Sequence, residues 1–128
     1  MSYEHPFALG VEEELLLVDA GTHLLAHDAE RILATVDGLQ PDLYLALVES
    51  ASPITAGAGE AVATLSDARD RARSAGATLL GAGVHPAGRF GEAPHFPSER
   101  YREVADQLRG LSDRTPTCAL HVHVGMPD

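Results

Sequence analysis

The chain has 128 residues, which is enough for one domain with a hydrophobic core but not for two independent domains. Its net charge of −10 argues against a nucleic-acid partner and against an anionic membrane surface, because both carry negative charge. All the basic residues are arginine, so a catalytic lysine is excluded.

Cys118 is the only cysteine, which excludes an intramolecular disulfide and fits a reducing compartment. No signal-like segment opens the chain, and no apolar run reaches the roughly 18 residues that a membrane span needs. We therefore expect a single cytoplasmic domain over residues 1–128, with no membrane partner.

The first predicted element is a strand over residues 7–19, in which three consecutive carboxylates interrupt an apolar run. Side chains alternate between the faces of a strand, so Glu12 and Glu14 are expected on one face, about 6.5–7 Å apart, and Glu13 on the other. Like charges among apolar residues are costly unless a cation binds between them or they take up protons. A hard divalent ion such as Mg²⁺ suits two oxygen ligands on one face. The alternative is an edge strand whose three glutamates face water.

The next elements add another acid. A turn at residues 20–22 leads to a short return segment, and Asp28 is a candidate cap for a helix over residues 29–36. A second apolar strand is predicted over residues 43–49, and it ends in Glu49. A single acid at a strand end is weak evidence, but beside Glu12 and Glu14 it becomes a candidate third carboxylate.

The longest helix is predicted over residues 60–75. Val62, Leu65 and Ala72, with Ala68 or Arg69, mark its inner stripe. The charged residues Asp67, Arg69, Asp70, Arg71 and Arg73 are interpreted as a solvated outer face.

A glycine-rich strand over residues 78–84 then delivers His85 to a long loop that runs to residue 97 and contains Arg89. A loop of this length is more often functional than idle. Ser98 is expected to cap a third helix, over residues 99–111.

The last strand, over residues 117–125, carries a second functional pattern. His121 and His123 share one face of it, and apolar residues occupy the other. Two histidines on one face are uncommon, because each must find partners for both ring nitrogens or bind a cation.

Together these elements predict an α+β fold: a mainly antiparallel sheet of about four or five strands, with three helices packed on one face. The other face would then carry Glu12, Glu14, His121 and His123 as the open wall of a site. The geometric hypothesis is that Glu12, Glu14 and His121 converge on one divalent ion, Mg²⁺ or Mn²⁺ rather than structural zinc.

Four segments in this order resemble the N-terminal part of the glutamate–cysteine ligase type 2 family, which includes the bacterial carboxylate–amine ligases of the glutamine-synthetase-like superfamily. They are Gly10–Glu14, Val48–Glu49, Gly83–Pro86 and Cys118–Gly125. Each segment alone is weak, but the combination is specific and covers nearly the whole chain.

The resemblance implies an ATP-dependent ligase that phosphorylates the γ-carboxylate of glutamate, after which an amine such as that of cysteine attacks the acyl phosphate. It implies Glu12 and Glu14 as Mg²⁺ (or Mn²⁺) ligands, with Glu13 not required by the pattern. His121 is similarly implied as a metal ligand and His123 as a contact to an ATP phosphate.

Glu49 and His85 are implied by the resemblance as substrate- or metal-binding residues, and Arg89 as a further ATP phosphate contact. No glycine-rich loop of the Walker type is present. Members of the family are longer than this chain, so a homo-oligomer or a complementing chain is an expected partner. The alternative function is a non-catalytic module that binds a metal–nucleotide complex or a partner protein.

Overall fold

The chain forms a sheet with helices inserted between its strands. In this computed structural model, which describes residues 7–126, the elements are, in order, β1 (Leu9–Val18), α1 (Ala29–Thr35), β2 (Leu39–Pro41), β3 (Leu47–Ala51), α2 (Ala58–Ser74), β4 (Thr78–Leu80), α3 (Glu99–Leu108), a 3-10 helix (Arg109–Asp113) and β5 (Leu120–Val124). Residues 1–6 and 127–128 of the predicted domain lie outside the described part.

The strand β1 is the centre of the sheet, because it is hydrogen-bonded along both edges. One edge pairs with β3, which in turn pairs with the short outer strand β2. The other edge is divided: β5 lies beside residues 9–13 and β4 beside residues 16–18. Every one of these pairs is antiparallel, so the prediction of an α+β fold with a mainly antiparallel sheet of four or five strands is confirmed.

One face of the sheet is covered by α1 and α2. Leu15 and Leu17 of β1 point to this face and are buried in the main core. The helices contribute small and branched side chains to the same core, namely Ala29, Ile32, Ala68 and Ala72. Burial of these apolar surfaces is the main favourable contribution to folding, at roughly 25 cal/mol per Å².

The buried stripe of α2 differs from the predicted one at its first position. Val62 is exposed, and Ala61 is buried instead against Val11 and Leu65. The buried stripe is therefore shifted by one residue at this turn of the helix.

The third helix, α3, packs less closely than α1 and α2. Its residues include none that is buried, and its last residue, Leu108, lines a cavity together with Glu14, which points away from α1 and α2. Tyr101 holds α3 instead to the outer strand, because its hydroxyl donates a hydrogen bond of 2.6 Å to the Pro41 carbonyl. Within residues 7–126, no helix is both long enough and apolar enough to cross a membrane.

The second predicted strand is displaced along the chain. Pairing with β1 begins only at Leu47, and the additional strand β2 lies earlier, at residues 39–41. A strand ending in Pro41 tolerates only an edge position, since proline has no N–H to donate to a neighbour.

A half-buried ion pair fixes α2 onto β1. The Glu13 carboxylate accepts two hydrogen bonds from Arg69, from Nε at 2.7 Å and from Nη2 at 2.6 Å. The Glu13 side chain is only 13% exposed. Arg69 therefore faces the sheet, and assigning it to a solvated outer face would be wrong.

We expect Arg69→Met to lower the free energy of unfolding by about 1–3 kcal/mol, because the Glu13 carboxylate would lose its partner while remaining largely out of water. Urea unfolding measures this difference. The matched control is Arg73→Met, which removes an exposed pair with Asp70 on the same helix and should change the stability by no more than about 0.5 kcal/mol. Equal losses for the two variants would contradict the structural role of the Glu13–Arg69 pair.

Candidate functional site

The sheet face opposite to α1 and α2 carries a continuous group of acids and imidazoles. Strand alternation and register bring them together: Glu12 lies opposite His121, and Glu14 lies opposite Glu49. His123 lies one pleat along, opposite Gly10. We call these five side chains, Glu12, Glu14, Glu49, His121 and His123, the acid–imidazole face.

Glu12 lies between the two imidazoles. Its Oε2 atom is 3.5 Å from Nδ1 of His121 and 3.3 Å from Nε2 of His123. Both histidine side chains are about half exposed, at 48% and 55%. The sequence prediction that these three side chains share one face is therefore correct in geometry.

Glu14 has a different environment. Its Oε2 atom accepts a hydrogen bond of 2.9 Å from the Ala119 N–H, and its own N–H donates to the Ala119 carbonyl at 3.0 Å. Glu14 thus holds the residue that precedes β5, and with it the start of the histidine-bearing strand.

The acids of this face destabilise one another. Burial raises the pKa of Glu14, although the hydrogen bond from Ala119 opposes the shift, and the Asp42 carboxylate raises it further. Burial also raises the pKa of Glu49, and the charges of Glu12, Asp42 and Glu14 add to that effect. Like charges directly opposite each other on neighbouring strands are unfavourable unless a cation or a proton lies between them.

The donor set of this face suits a hard divalent ion, since it offers several carboxylate oxygens and imidazole nitrogens. Within the described residues, however, no three side chains of His, Cys, Asp or Glu are gathered as a group that could hold a metal ion. Glu12 approaches His121, while Glu14 is directed to Ala119. The predicted ligands thus share a face without forming a ready coordination shell.

His85 lies outside this face. It is buried, its Nε2 is 2.7 Å from the His23 carbonyl oxygen, and its Nδ1 accepts a hydrogen bond from the Ala87 N–H. Accepting at Nδ1 places the proton of a neutral ring on Nε2, so both nitrogens are occupied by the backbone. His85 connects the turn after β1 to the long loop.

Arg89 is also not brought to the acid–imidazole face. It lies in the exposed loop after β4, where its backbone N–H donates a hydrogen bond of 2.7 Å to the Glu92 carboxylate. None of the ion pairs found within residues 7–126 joins its guanidinium to this face.

Two residues that sequence reasoning passed over lie beside Glu14. Asp42 and Arg114 line a cavity of about 230 Å³ together with Glu14 and Tyr44. Asp42 follows a proline and Arg114 lies in a connector, so neither belongs to a periodic pattern that could have drawn attention to it.

A family comparison matches residues 8–128 to the family described as glutamate–cysteine ligase family 2 (GCS2). A protein of Rubrobacter xylanophilus is 35% identical over 130 residues, covering 94% of this chain and 35% of that protein. The Halobacterium salinarum protein named glutamate–cysteine ligase is 34% identical, covering 94% of this chain and 36% of its own length. The protein of the same name from Haloferax volcanii is 31% identical, with shares of 99% and 38%. The chain thus spans little more than a third of the length of these relatives.

The raised pKa of Glu49 predicts how stability changes with pH. A folded-state pKa above the ordinary value of 4.5 means that the folded protein binds this proton more tightly than the unfolded chain. Stability is therefore lost as the pH rises above 4.5 through the folded pKa. We expect Glu49→Gln to remove part of this loss and to raise the free energy of unfolding at pH 7 by about 0.2–1 kcal/mol.

Urea unfolding from pH 4 to pH 8, in the presence of a chelator, measures the effect. Glu103→Gln, on the exposed side of α3, removes one carboxylate without relieving a crowded pair and is the control. If both variants gave the same pH profile, local crowding at Glu49 would not be the cause.

Proposed function

The chain belongs to glutamate–cysteine ligase family 2, and on that premise we propose that it forms part of an ATP-dependent carboxylate–amine ligase. Its relatives named glutamate–cysteine ligase support a ligase activity. The observation that carries the finer proposal is the acid–imidazole face, an open surface of three carboxylates and two imidazoles on a rigid sheet.

The proposed reaction has two steps. A carboxylate oxygen of glutamate, or of a similar acid, attacks the γ-phosphorus of ATP, which gives an acyl phosphate and releases ADP. The amine nitrogen of the second substrate, such as cysteine, then attacks the acyl carbon, loses a proton and displaces phosphate. Both steps bring anionic groups together, so their charge must be offset by cations in the site.

Mg²⁺, or Mn²⁺ in its place, would supply that charge, with Glu12 and His121 as its nearest paired ligands and Glu14 and Glu49 as further oxygen donors. The crowding of Glu14 and Glu49 supports this assignment, because their raised pKa values identify a place where a cation would be favourable. When bound, the ion would neutralise phosphate charge during phosphoryl transfer.

The chain's own residues would position the nucleotide. Glu12 and His123 line a second cavity, of about 230 Å³, together with Gly10 and Ser52. His123 projects beside this cavity from a strand held in the sheet, which suits a contact to an ATP phosphate. His85 and Arg89 have no part in this proposal, because the structure brings neither of them to the face.

A second candidate function is a module that binds a metal–nucleotide complex or a partner protein without turnover. It would use the same acid–imidazole face as its binding surface and differ in the absence of turnover. A homo-oligomer or a complementing chain would then be the partner.

A coupled assay of ADP release with ATP, glutamate and cysteine separates the two candidates. We expect no turnover by the 128-residue chain alone, and turnover when the rest of a family-length protein is supplied in the same chain or as a second chain. Turnover by the 128-residue chain alone would refute the expectation that it needs a further part or a second chain for activity. ATP binding without turnover in either form would favour the module.

Metal binding to the acid–imidazole face predicts a shift in thermal stability. A ligand that binds only the folded state raises the melting temperature with its concentration. We expect Mn²⁺ to raise the melting temperature of the chain and expect Glu12→Ala and Glu14→Ala to reduce the increase.

The matched control for this titration is Glu103→Ala, which leaves the acid–imidazole face intact and should keep the full increase. Differential scanning fluorimetry over a range of Mn²⁺ concentrations provides the comparison. An increase that persists unchanged in both glutamate variants would place the ion elsewhere.

A further inference from the structure

We propose that the cavity between Asp42 and Arg114 binds the amine substrate, an α-amino acid with a small neutral side chain, through its ammonium and its carboxylate. This inference rests on the proposed function and assigns one of its two organic substrates to a place. We call the cavity the Asp42–Arg114 cavity; its lining includes Glu14, Asp42, Tyr44, Leu108, Leu111 and Arg114.

The lining of this cavity carries charges of both signs that are not paired with each other. Glu14 and Asp42 contribute carboxylates, and Arg114 contributes a guanidinium, yet Arg114 forms none of the ion pairs found within residues 7–126. A zwitterion complements such a surface, because its carboxylate can pair with the guanidinium while its ammonium meets the acids.

The two carboxylates retain capacity to accept hydrogen bonds. Oδ1 of Asp42 accepts from the Leu43 N–H at 2.5 Å, and Oε2 of Glu14 accepts from the Ala119 N–H at 2.9 Å. One oxygen of each carboxylate is thus engaged by the backbone, which orients the group. An ammonium has three N–H donors, so it can bridge the remaining oxygens of both acids.

The wall that carries Arg114 is held in place by buried hydrogen bonds. The Tyr44 hydroxyl donates to the Ser112 carbonyl at 3.0 Å, and Nε2 of His95 lies 3.0 Å from the same oxygen. Tyr44 itself is buried against Leu16 and Leu47 of the sheet. Arg114 therefore extends from a segment that is fixed through Tyr44 to β1, the strand that carries Glu14, and Asp42 lies two residues before Tyr44.

Size and polarity select a small neutral side chain. The cavity volume of about 230 Å³ is below the roughly 300–1,000 Å³ typical of sites for drug-sized ligands. Leu108 and Leu111 line it and are exposed, which suits contact with a short apolar or thiol side chain. Glutamate has two carboxylates, whereas the lining of this cavity supplies one guanidinium. Its second carboxylate would be repelled by Glu14 and Asp42.

Glu14 connects this cavity to the proposed reaction site, because it belongs to the acid–imidazole face and also lines the cavity. An amine held beside Glu14 would lie at the border of the surface where the acyl phosphate is proposed to form. The arrangement therefore assigns the acceptor amine, and not the phosphorylated acid, to the Asp42–Arg114 cavity.

The direct test is binding to the 128-residue chain, followed by isothermal titration calorimetry and NMR chemical shifts. The probes are L-2-aminobutyrate, butyrate, which lacks the ammonium, 1-propylamine, which lacks the carboxylate, and L-glutamate. We expect L-2-aminobutyrate to bind at least about tenfold more tightly than the other three, with shifts at residues around Asp42 and Arg114.

Variants of the charged wall complete the test. Arg114→Gln and Asp42→Asn should each weaken L-2-aminobutyrate roughly 10- to 100-fold, because each removes a charged hydrogen-bonding partner. The controls are Arg73→Gln and Asp70→Asn, which break an exposed pair on α2 and should leave binding unchanged. Arg114→Lys keeps the charge and should retain part of the affinity, and melting curves confirm that each variant folds.

Absence of L-2-aminobutyrate binding, equal binding of butyrate or 1-propylamine, tighter binding of glutamate, or full affinity in Arg114→Gln would each overturn the proposal. The result is separable from that of the ligase assay. Specific binding without ADP release in a family-length protein would leave an amino-acid site and remove the ligase function. ADP release with an unchanged KM for the amine in Arg114→Gln would keep the ligase function and remove the proposed amino-acid site.

Discussion

The alternation of side chains along β1 is the constraint on which the rest of the structure depends. Three consecutive glutamates cannot share one face of a strand, so the middle one must point away from the other two. Glu13 points to the helices, where Arg69 receives it in a bidentate pair, and Glu12 and Glu14 therefore point to the open face. A register slip of one residue would place two unpaired acids under α2. The Glu13–Arg69 pair thus determines which carboxylates are available for chemistry.

The open face is electrostatically unfavourable as it stands. Glu14 and Glu49 lie opposite each other, and their raised pKa values show that burial and neighbouring acids oppose ionisation. The fold tolerates this arrangement because its largest buried cluster lies on the other face, where α1 and α2 cover Leu15 and Leu17 of β1. Functional sites often carry groups that reduce stability.

Sequence reasoning succeeded where a strand's period of two was sufficient. It placed Glu12 and Glu14 on one face and His121 and His123 on one face, since alternation needs no knowledge of neighbours. It could not identify partners that come from distant segments. The backbone engages both ring nitrogens of His85, and no local pattern indicates that the carbonyl of His23 would lie beside it.

The same limit applies to other residues. The register that places Glu49 opposite Glu14 depends on where β3 begins. Pairing with β1 starts at Leu47, four residues after the start of the strand predicted over residues 43–49. Arg69 looked like a surface charge until the pairing of α2 with β1 gave it a partner. Asp42 and Arg114 lie outside the periodic elements, and only the folded chain brings them to one cavity.

Charge explains why the acid–imidazole face would need help to hold a nucleotide. A triphosphate is strongly anionic, whereas this face offers three carboxylates and two imidazoles. Arg114 lines a cavity beside Glu14, and it suits a single carboxylate better than a polyphosphate. In the proposed function, positive charge for the phosphates would come from bound metal ions or from a partner chain. The acids provide the means for the first source, because each carboxylate that repels phosphate directly can attract it through a shared divalent cation.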